Sequence, residues 1–142
     1  MIAISLWQPW ATLWLLSNPD EKVFETRSWY TGYRGFLLVH AAKKRDGEVR
    51  AALADQHFID RLKVHGLRPE ELAFGAIIGQ VNLLGGCRMD KMPAPTELEE
   101  KAGYWEPHRF AWERRSAPTL FKSPISYRGS QGFFNAVAGE RP

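Results

Sequence analysis

The sequence has only one cysteine, Cys87, among 142 residues. A lone thiol cannot form an internal disulfide, and it cannot supply the ligands of a cysteine-rich zinc site. The sequence also has no apolar run near the roughly 20 residues that span a bilayer, and its N-terminus lacks the basic segment and cleavage site of a signal peptide. We therefore expect a cytoplasmic protein without a membrane segment.

Two further kinds of site are missing from the pattern. No glycine-rich phosphate loop follows a predicted strand and opens a helix, which excludes the Rossmann and P-loop nucleotide sites. His57 and His65 flank Asp60 around a predicted helix end, but no third strong ligand is evident. We therefore predict neither a metal site nor a cofactor.

The residues that are present are typical of one globular domain. Apolar residues make up 44% of the chain, aromatic residues 13% and charged residues 25%, and domains cluster at roughly 100 to 150 residues. We place a single domain at residues 1–138 and a short C-terminal tail at residues 139–142. Oligomeric state stays open.

The positive charge is concentrated in two segments. Nineteen Lys and Arg against sixteen Asp and Glu leave a net charge of only +3. Residues 22–50 and 101–142 each contain seven basic and three acidic residues. If the fold brings these segments together, one face attracts phosphates over a Debye length of about 8 Å. Ordinary solvated lysine and arginine are the alternative.

Short apolar segments alternate with turns and a few helical patterns along the chain. Extended segments are predicted at residues 2–6, 23–27, 36–41 and 76–84, with shorter ones between 109 and 127. Helices are predicted after Gln8-Pro9 and over residues 48–63. Together, these strands and helices predict an α+β fold, a small, bent and partly closed β-barrel of five to six strands flanked by helices. The polar segment 89–108 has no predicted role.

A set of motifs then follows in one order along the chain. They are Ile4-Ser5-Leu6-Trp7-Gln8-Pro9-Trp10-Ala11-Thr12-Leu13, Lys22 with Glu25-Thr26-Arg27-Ser28-Trp29, Tyr33-Arg34-Gly35, and His40-Ala41-Ala42-Lys43. With these residues the chain resembles the ASCH domain family. The resemblance continues at residues 74–79, 110–113 and 128–134, and so it covers nearly the whole chain.

The resemblance implies a PUA-like fold, which is a bent β-barrel flanked by helices with a cleft where the signature residues gather. It also implies an association with RNA. Some members of the family resemble nucleic-acid-processing enzymes, including a ribonuclease active on single strands and a small amidohydrolase acting on acetylated cytidine.

This chain departs from the amidohydrolase branch at one position. In that branch the site uses a lysine, a threonine three residues later and a distant glutamate. Lys22 matches the lysine, but Glu25 stands at the threonine position, and Thr26 would face the other side of a strand. The distant glutamate has no assigned counterpart here, so the amidohydrolase reading is disfavoured.

Lys22 and Glu25 are the candidate catalytic residues. Lys22 can pair with a phosphate or polarise a carbonyl, and burial would lower the pKa of its ammonium enough for it to act as a base. A carboxylate at Glu25 can take a proton from an attacking water or ribose hydroxyl. Glu25 and Arg27 are two residues apart, so in a strand they share a face and can form an ion pair. All three residues can instead be structural.

The candidate nucleic-acid-binding residues combine aromatic, basic and amide side chains. Flat rings can stack on unpaired bases for roughly 1 to 3 kcal/mol each, and basic side chains hold phosphates. We expect about two tryptophans to face a ligand and the other four to pack in the core. For His40 and for the residues between the last glycines, a structural role is the alternative. The candidates are Trp7, Gln8, Arg27, Trp29, Tyr33, Arg34, His40, Lys43, Arg128, Ser130 and Gln131.

Three functions remain open at the level of sequence. The first is a domain that recognises single-stranded RNA or an unstacked nucleotide, with or without metal-independent ribonuclease activity. The second is an amidohydrolase for a modified nucleoside such as N4-acetylcytidine. The third is a non-catalytic adaptor for a nucleic acid, DNA included, or for a protein. Sequence specificity and catalysis are left undecided.

Overall fold

The structure is a computed structural model that describes residues 1–19 and 21–137. Across these residues it contains four α-helices and one mixed sheet of seven strands. The strands are β1 (Ile2–Leu6), β2 (Phe24–Arg27), β3 (Gly35–Ala41), β4 (Ala76–Arg88), β5 (Phe110–Arg114), β6 (Thr119–Ser126) and β7 (Phe133–Asn135). The helices are α1 (Trp10–Trp14), α2 (Glu48–Leu53), α3 (Gln56–Val64) and α4 (Glu97–Lys101). Single turns of 3₁₀ helix lie at Pro69–Glu71 and Met89–Lys91.

The long strand β4 organises the sheet, whose order is β2-β5-β4-β3-β1-β7. One edge of β4 pairs with β3, while the other edge pairs first with β6 and then, beyond residue 82, with β5. The pair β1–β3 is parallel and the remaining pairs are antiparallel. The register shifts between Leu83 and Gly85, where Gly85 has a φ of +107° that favours glycine.

The sheet curls strongly from one end to the other. Four strand spacings separate β5 from β7, which amounts to roughly 19 Å in a flat sheet. The rings of Trp112 on β5 and Phe133 on β7 nevertheless stack with centroids 5.4 Å apart. Arg27 at the end of β2 likewise donates a hydrogen bond to the backbone carbonyl of Ser5 on β1 at 3.3 Å. The concave face is therefore partly closed and buries the main core.

Helix α1 covers one opening of this curled sheet. Trp14 and Leu15 are buried in the main core with residues of β3 and β4. The carbonyl of Trp14 at the end of α1 and that of Leu16 just beyond it accept hydrogen bonds from the guanidinium of Arg114 on β5, at 2.6 and 3.0 Å. A second, smaller apolar cluster joins α1 to α3 through Leu13 and Leu62.

The predicted α+β class is confirmed, with three corrections. The strands number seven rather than five or six in the part of the chain that is described, since β7 forms at residues 133–135, where no strand was predicted. The predicted helix over 48–63 is two helices, because Asp55 caps a new helix by accepting a hydrogen bond from the His57 amide at 2.8 Å. The predicted β4 continues through Gly85 and Gly86 to Arg88.

Two other predictions concern the C-terminal domain boundary and membrane-spanning helices. The domain boundary at residue 138 and the tail at 139–142 lie outside the described residues. Among the helices that are described, none has the length and apolar character needed to cross a bilayer.

Candidate functional site

Two neighbouring cavities open where the motif residues meet. The first, which we call the cationic cavity, has a volume of about 690 Å³. Strand β1 contributes Ser5, β2 ends at Arg27 beside it, and the loop between β6 and β7 closes the far side. Eight of the eleven predicted nucleic-acid-binding residues line it, namely Trp7, Arg27, Trp29, His40, Lys43, Arg128, Ser130 and Gln131.

The charge of this cavity has one sign. Arg27, Lys43 and Arg128 line it, and no Asp or Glu is among its lining residues in the described chain. Lys43 and Arg128 are exposed, whereas the Arg27 side chain is 25% exposed and lies against two indoles, 5.5 Å from the Trp112 centroid and 5.9 Å from that of Trp29. Clustered cations in a concave wall attract anions.

Two partly exposed indoles provide flat surface at the rim of the cationic cavity. Trp7 is 42% exposed and Trp29 is 37% exposed. Trp29 is fixed edge-on against Trp112 and Phe133, with centroids 4.6 and 5.5 Å away. The ammonium of Lys44 lies 4.9 Å from the Trp7 centroid.

The second cavity, which we call the aromatic cavity, has a volume of about 660 Å³ and lies between β1, β2 and the helices. Trp10, Phe58, Tyr104 and Trp105 line it together with Trp7. Its charges are mixed, since it contains three carboxylates and three cations. They are Glu25, Glu48, Glu100, Arg27, Lys101 and Arg109.

The two cavities share a wall formed by Ser5, Trp7 and Arg27. From Arg27 in this wall, a series of ion pairs continues away from the cationic cavity. Glu25 is 3.7 Å from the Nε of Arg27 on one side and 3.7 Å from the Nζ of Lys22 on the other. Glu25 lines the aromatic cavity, while Lys22 is 1% exposed and lines neither cavity.

Lys22 is held by backbone as well as by charge. Its ammonium donates a hydrogen bond to the carbonyl of Phe24. Burial lowers the pKa of Lys22, and the nearby carboxylates of Glu25 and Glu99 oppose that shift. Whether Lys22 and Glu25 act catalytically stays a prediction.

Glu99 is a buried member of this charge network, a role that the sequence pattern did not predict. It lies on α4, is 5% exposed, and accepts a hydrogen bond from the Val23 amide at 2.7 Å. Its other carboxylate oxygen, Oε1, is buried without a hydrogen-bond partner in the described chain. The segment 89–108 therefore contributes to the site.

Ser5 and His40 form a hydrogen-bonded pair on the floor of the cationic cavity. The Oγ of Ser5 lies 2.9 Å from the Nδ1 of His40. The Nε2 of the same ring donates to the backbone carbonyl of Tyr127 at 2.7 Å. Burial lowers the pKa of His40, against the effect of the Tyr127 carbonyl, and Lys43 lowers it further.

Gly129 lies close above this pair. A Cβ atom at Gly129 would be 2.6 Å from both the Ser5 Oγ and the His40 Cε1, well inside van der Waals contact. Only a residue without a side chain leaves room over the Ser5 hydroxyl here.

Three of the predicted nucleic-acid-binding residues line neither cavity. Gln8 is fully buried, donating to the carbonyl of Ala73 at 3.0 Å and accepting from the amide of Thr12 at 3.1 Å. Tyr33 donates to the carbonyl of Phe36 at 2.7 Å and lies beside Phe133. Arg34 is exposed near Gly85.

Several cavity residues were missed at the level of sequence. Ser5 lies inside an apolar strand and had no functional signal except its place in the first motif. Tyr104 and Trp105 come from the polar segment and Arg109 follows it directly, and aromatic residues interleaved with charges were the signal available there. Four of the six tryptophans line a cavity, and they are Trp7, Trp10, Trp29 and Trp105.

No group of three metal-binding side chains comes together within residues 1–19 and 21–137. In comparisons with known proteins, no family model matches this chain, and no curated protein matches it significantly.

Proposed function

We propose that this protein is an RNA-binding domain of the ASCH type with a PUA-like fold, and that it binds an unstacked nucleotide of single-stranded RNA in the cationic cavity. The observation that supports this most is the composition of that cavity. Three cations, two exposed indoles and the amide and hydroxyl groups of the 129–132 loop converge on one space.

Each of these groups has a counterpart in a nucleotide. Indole faces stack on bases, cations neutralise phosphates, and a glutamine amide and a serine hydroxyl can bond to a base edge or a ribose. A volume of about 690 Å³ is within the range of about 300 to 1,000 Å³ typical of small-ligand sites. Stacked bases in a duplex present no free faces to Trp7 and Trp29, so single strands fit better.

The aromatic cavity differs from the cationic cavity in having charges of both signs. Its carboxylates repel phosphates, so the RNA backbone is expected on the cationic side of the wall. Glu25 lines the aromatic cavity, on the opposite side of the wall. A ribose hydroxyl would have to reach that side for Glu25 to act as the base of a metal-independent cleavage.

The proposal is tested by measuring the anisotropy of labelled single-stranded RNA as protein is added at several salt concentrations. We expect Arg128→Ala to weaken binding and to reduce the slope of log K against log salt by about 0.7, the value for one phosphate contact on a single strand. Arg115→Ala is the matched control, because Arg115 is exposed and lines neither cavity.

Parallel titrations with duplex RNA, single-stranded DNA and free N4-acetylcytidine separate the other functions. Loss of the Trp29 indole by Trp29→Ala should weaken single-strand binding by about 1 to 3 kcal/mol, the range for one stacked base. Equal affinity for duplex and single strand, or equal salt slopes for Arg128→Ala and the parent protein, would refute the proposal.

A further inference from the structure

The tautomer of His40 follows from its partners. A backbone carbonyl accepts hydrogen bonds and cannot donate them, so the Nε2 of His40 must hold a proton to bond to Tyr127 at 2.7 Å. In the neutral ring Nδ1 then has a free lone pair. The Ser5 hydroxyl 2.9 Å away therefore donates its proton to Nδ1.

This arrangement is that of an activated serine. A nucleophilic hydroxyl hydrogen bonded to an imidazole, which is itself oriented by a third group, is the common element of serine hydrolases on unrelated folds. Here the third group is a main-chain carbonyl. The His40 ring also packs against Phe134 in a T-shaped pair, with centroids 6.0 Å apart.

A donor for a developing negative charge lies beside the same serine. Arg27 donates from Nη2 to the Ser5 carbonyl at 3.3 Å and its side chain lines the same cavity, while its Nε lies 3.7 Å from Glu25. Such a donor can stabilise the oxyanion of a tetrahedral intermediate. Ser5 is partly exposed and lines both cavities, and Gly129 leaves the space over its Oγ free of a side chain.

We propose that Ser5 is the nucleophile and His40 the general base of an acyl-transfer site in the cationic cavity, and that its substrate is a carboxylic ester bearing a negatively charged group. The preference for an anionic ester follows from Arg27, Lys43 and Arg128 in the same wall. The proposal goes beyond nucleotide binding and does not depend on it.

The reaction balances with water as the only co-reactant. Ser5 Oγ attacks the ester carbonyl carbon while its proton passes to His40 Nδ1, and the C–O bond to the leaving alcohol breaks as that proton is transferred to the leaving oxygen. Water then attacks the acyl-Ser5 ester, gives a proton to Nδ1, and releases the carboxylic acid as the proton returns to Ser5 Oγ. Ester and water thus yield acid and alcohol.

The test uses p-nitrophenyl acetate and its anionic analogue, the p-nitrophenyl monoester of succinic acid. We expect a burst of one p-nitrophenolate per chain and an acyl group mapped by mass spectrometry to Ser5. The burst should disappear in Ser5→Ala but remain in Ser123→Ala, because Ser123 is exposed on β6 and lines neither cavity. The anionic ester should react faster than the neutral one.

Two further variants test the role of the histidine. His40→Gln should slow acylation at least about 100-fold, the lower range for general-base catalysis. Gly129→Ala keeps both partners but places a methyl group 2.6 Å from each of them, and it should slow acylation similarly. It keeps the test valid if His40→Gln fails to fold.

Acyl groups found only on lysines or on Ser123 would overturn the proposal, as would a Ser5 acylation rate that neither His40→Gln nor Gly129→Ala changes. A faster reaction with the neutral ester would overturn the assigned substrate class.

Discussion

Single residues of the candidate site illustrate how far side-chain chemistry can be inferred from spacing. Arg27 and Glu25 share a face and form an ion pair, as their two-residue separation predicts. Gln8 is next to Trp7 in the same motif, yet it is buried and bonds to backbone. The motif places Trp7 and Gln8 next to the site, but which of the two side chains is buried depends on packing against distant parts of the chain, which a local pattern does not show.

His40 gives a prediction for stability against pH. Its pKa in the folded protein is below the ordinary value of 6.5, chiefly because of burial. Above that value the ring is neutral in both states and folding is not penalised. As the pH falls from 6.5 toward the lower folded pKa, the unfolded chain binds a proton that the folded chain does not, and the free energy of unfolding decreases.

Urea unfolding of the parent protein and of His40→Gln at a series of pH values measures this effect. The other histidines are common to both proteins, so the difference between the two curves isolates His40. We expect the parent protein to lose more stability on acidification below pH 6.5. Parallel curves would show that His40 titrates normally in the folded state.

At the scale of elements, α3 shows a boundary that hydrophobic periodicity does not reveal. Apolar residues continue at helical spacing through residues 48–63, which favours one helix. The chain instead starts a second helix at Asp55, whose carboxylate accepts the His57 amide and also pairs with Lys101 at 3.6 Å. An aspartate inside an amphipathic pattern was the available signal.

We expect Asp55→Ala to lower the free energy of unfolding by about 1 kcal/mol, the usual contribution of an N-cap side chain. Asp55→Asn is the matched control, because asparagine caps equally well but lacks the charge that pairs with Lys101. Thermal and urea unfolding measure both variants. If Asn is as destabilising as Ala, the ion pair rather than the cap stabilises this end of α3.

Strand β7 is the element with the weakest local signal in the sequence. It has only three residues, and a glycine turn precedes it. Pairing with β1 extends it, so its structure depends on a strand about 130 residues earlier in the chain. Long-range pairing of this kind leaves almost no local signal.

For the whole molecule, the α+β class could be predicted but the curvature could not. Alternating strands and helices are visible in the sequence, whereas the closing contact between Trp112 and Phe133 joins the second and the last strands of the sheet order. The cationic cavity depends on that closure, because Trp29 packs against both rings.

Phe133→Ala should therefore affect stability and ligand binding together. Removing a fully buried ring costs roughly 3 to 5 kcal/mol, so the loss of the partly buried Phe133 should cost less, and it also frees the Trp29 indole from one of its supports. Phe36→Ala is the control, since Phe36 is 55% exposed on β3 and lines neither cavity. Urea unfolding and RNA anisotropy should both change for Phe133→Ala and stay close to the parent values for the control. Unchanged RNA affinity in a folded Phe133→Ala protein would separate closure from binding.

Ser5, Trp7 and Arg27 line both the cationic and the aromatic cavity. A ligand that displaces the Trp7 indole in one cavity alters the surface that a ligand in the other cavity contacts. By thermodynamic linkage the resulting change in affinity must be equal in both directions. A ligand added to one cavity would therefore be detectable as a change in the affinity of the other cavity for its own ligand.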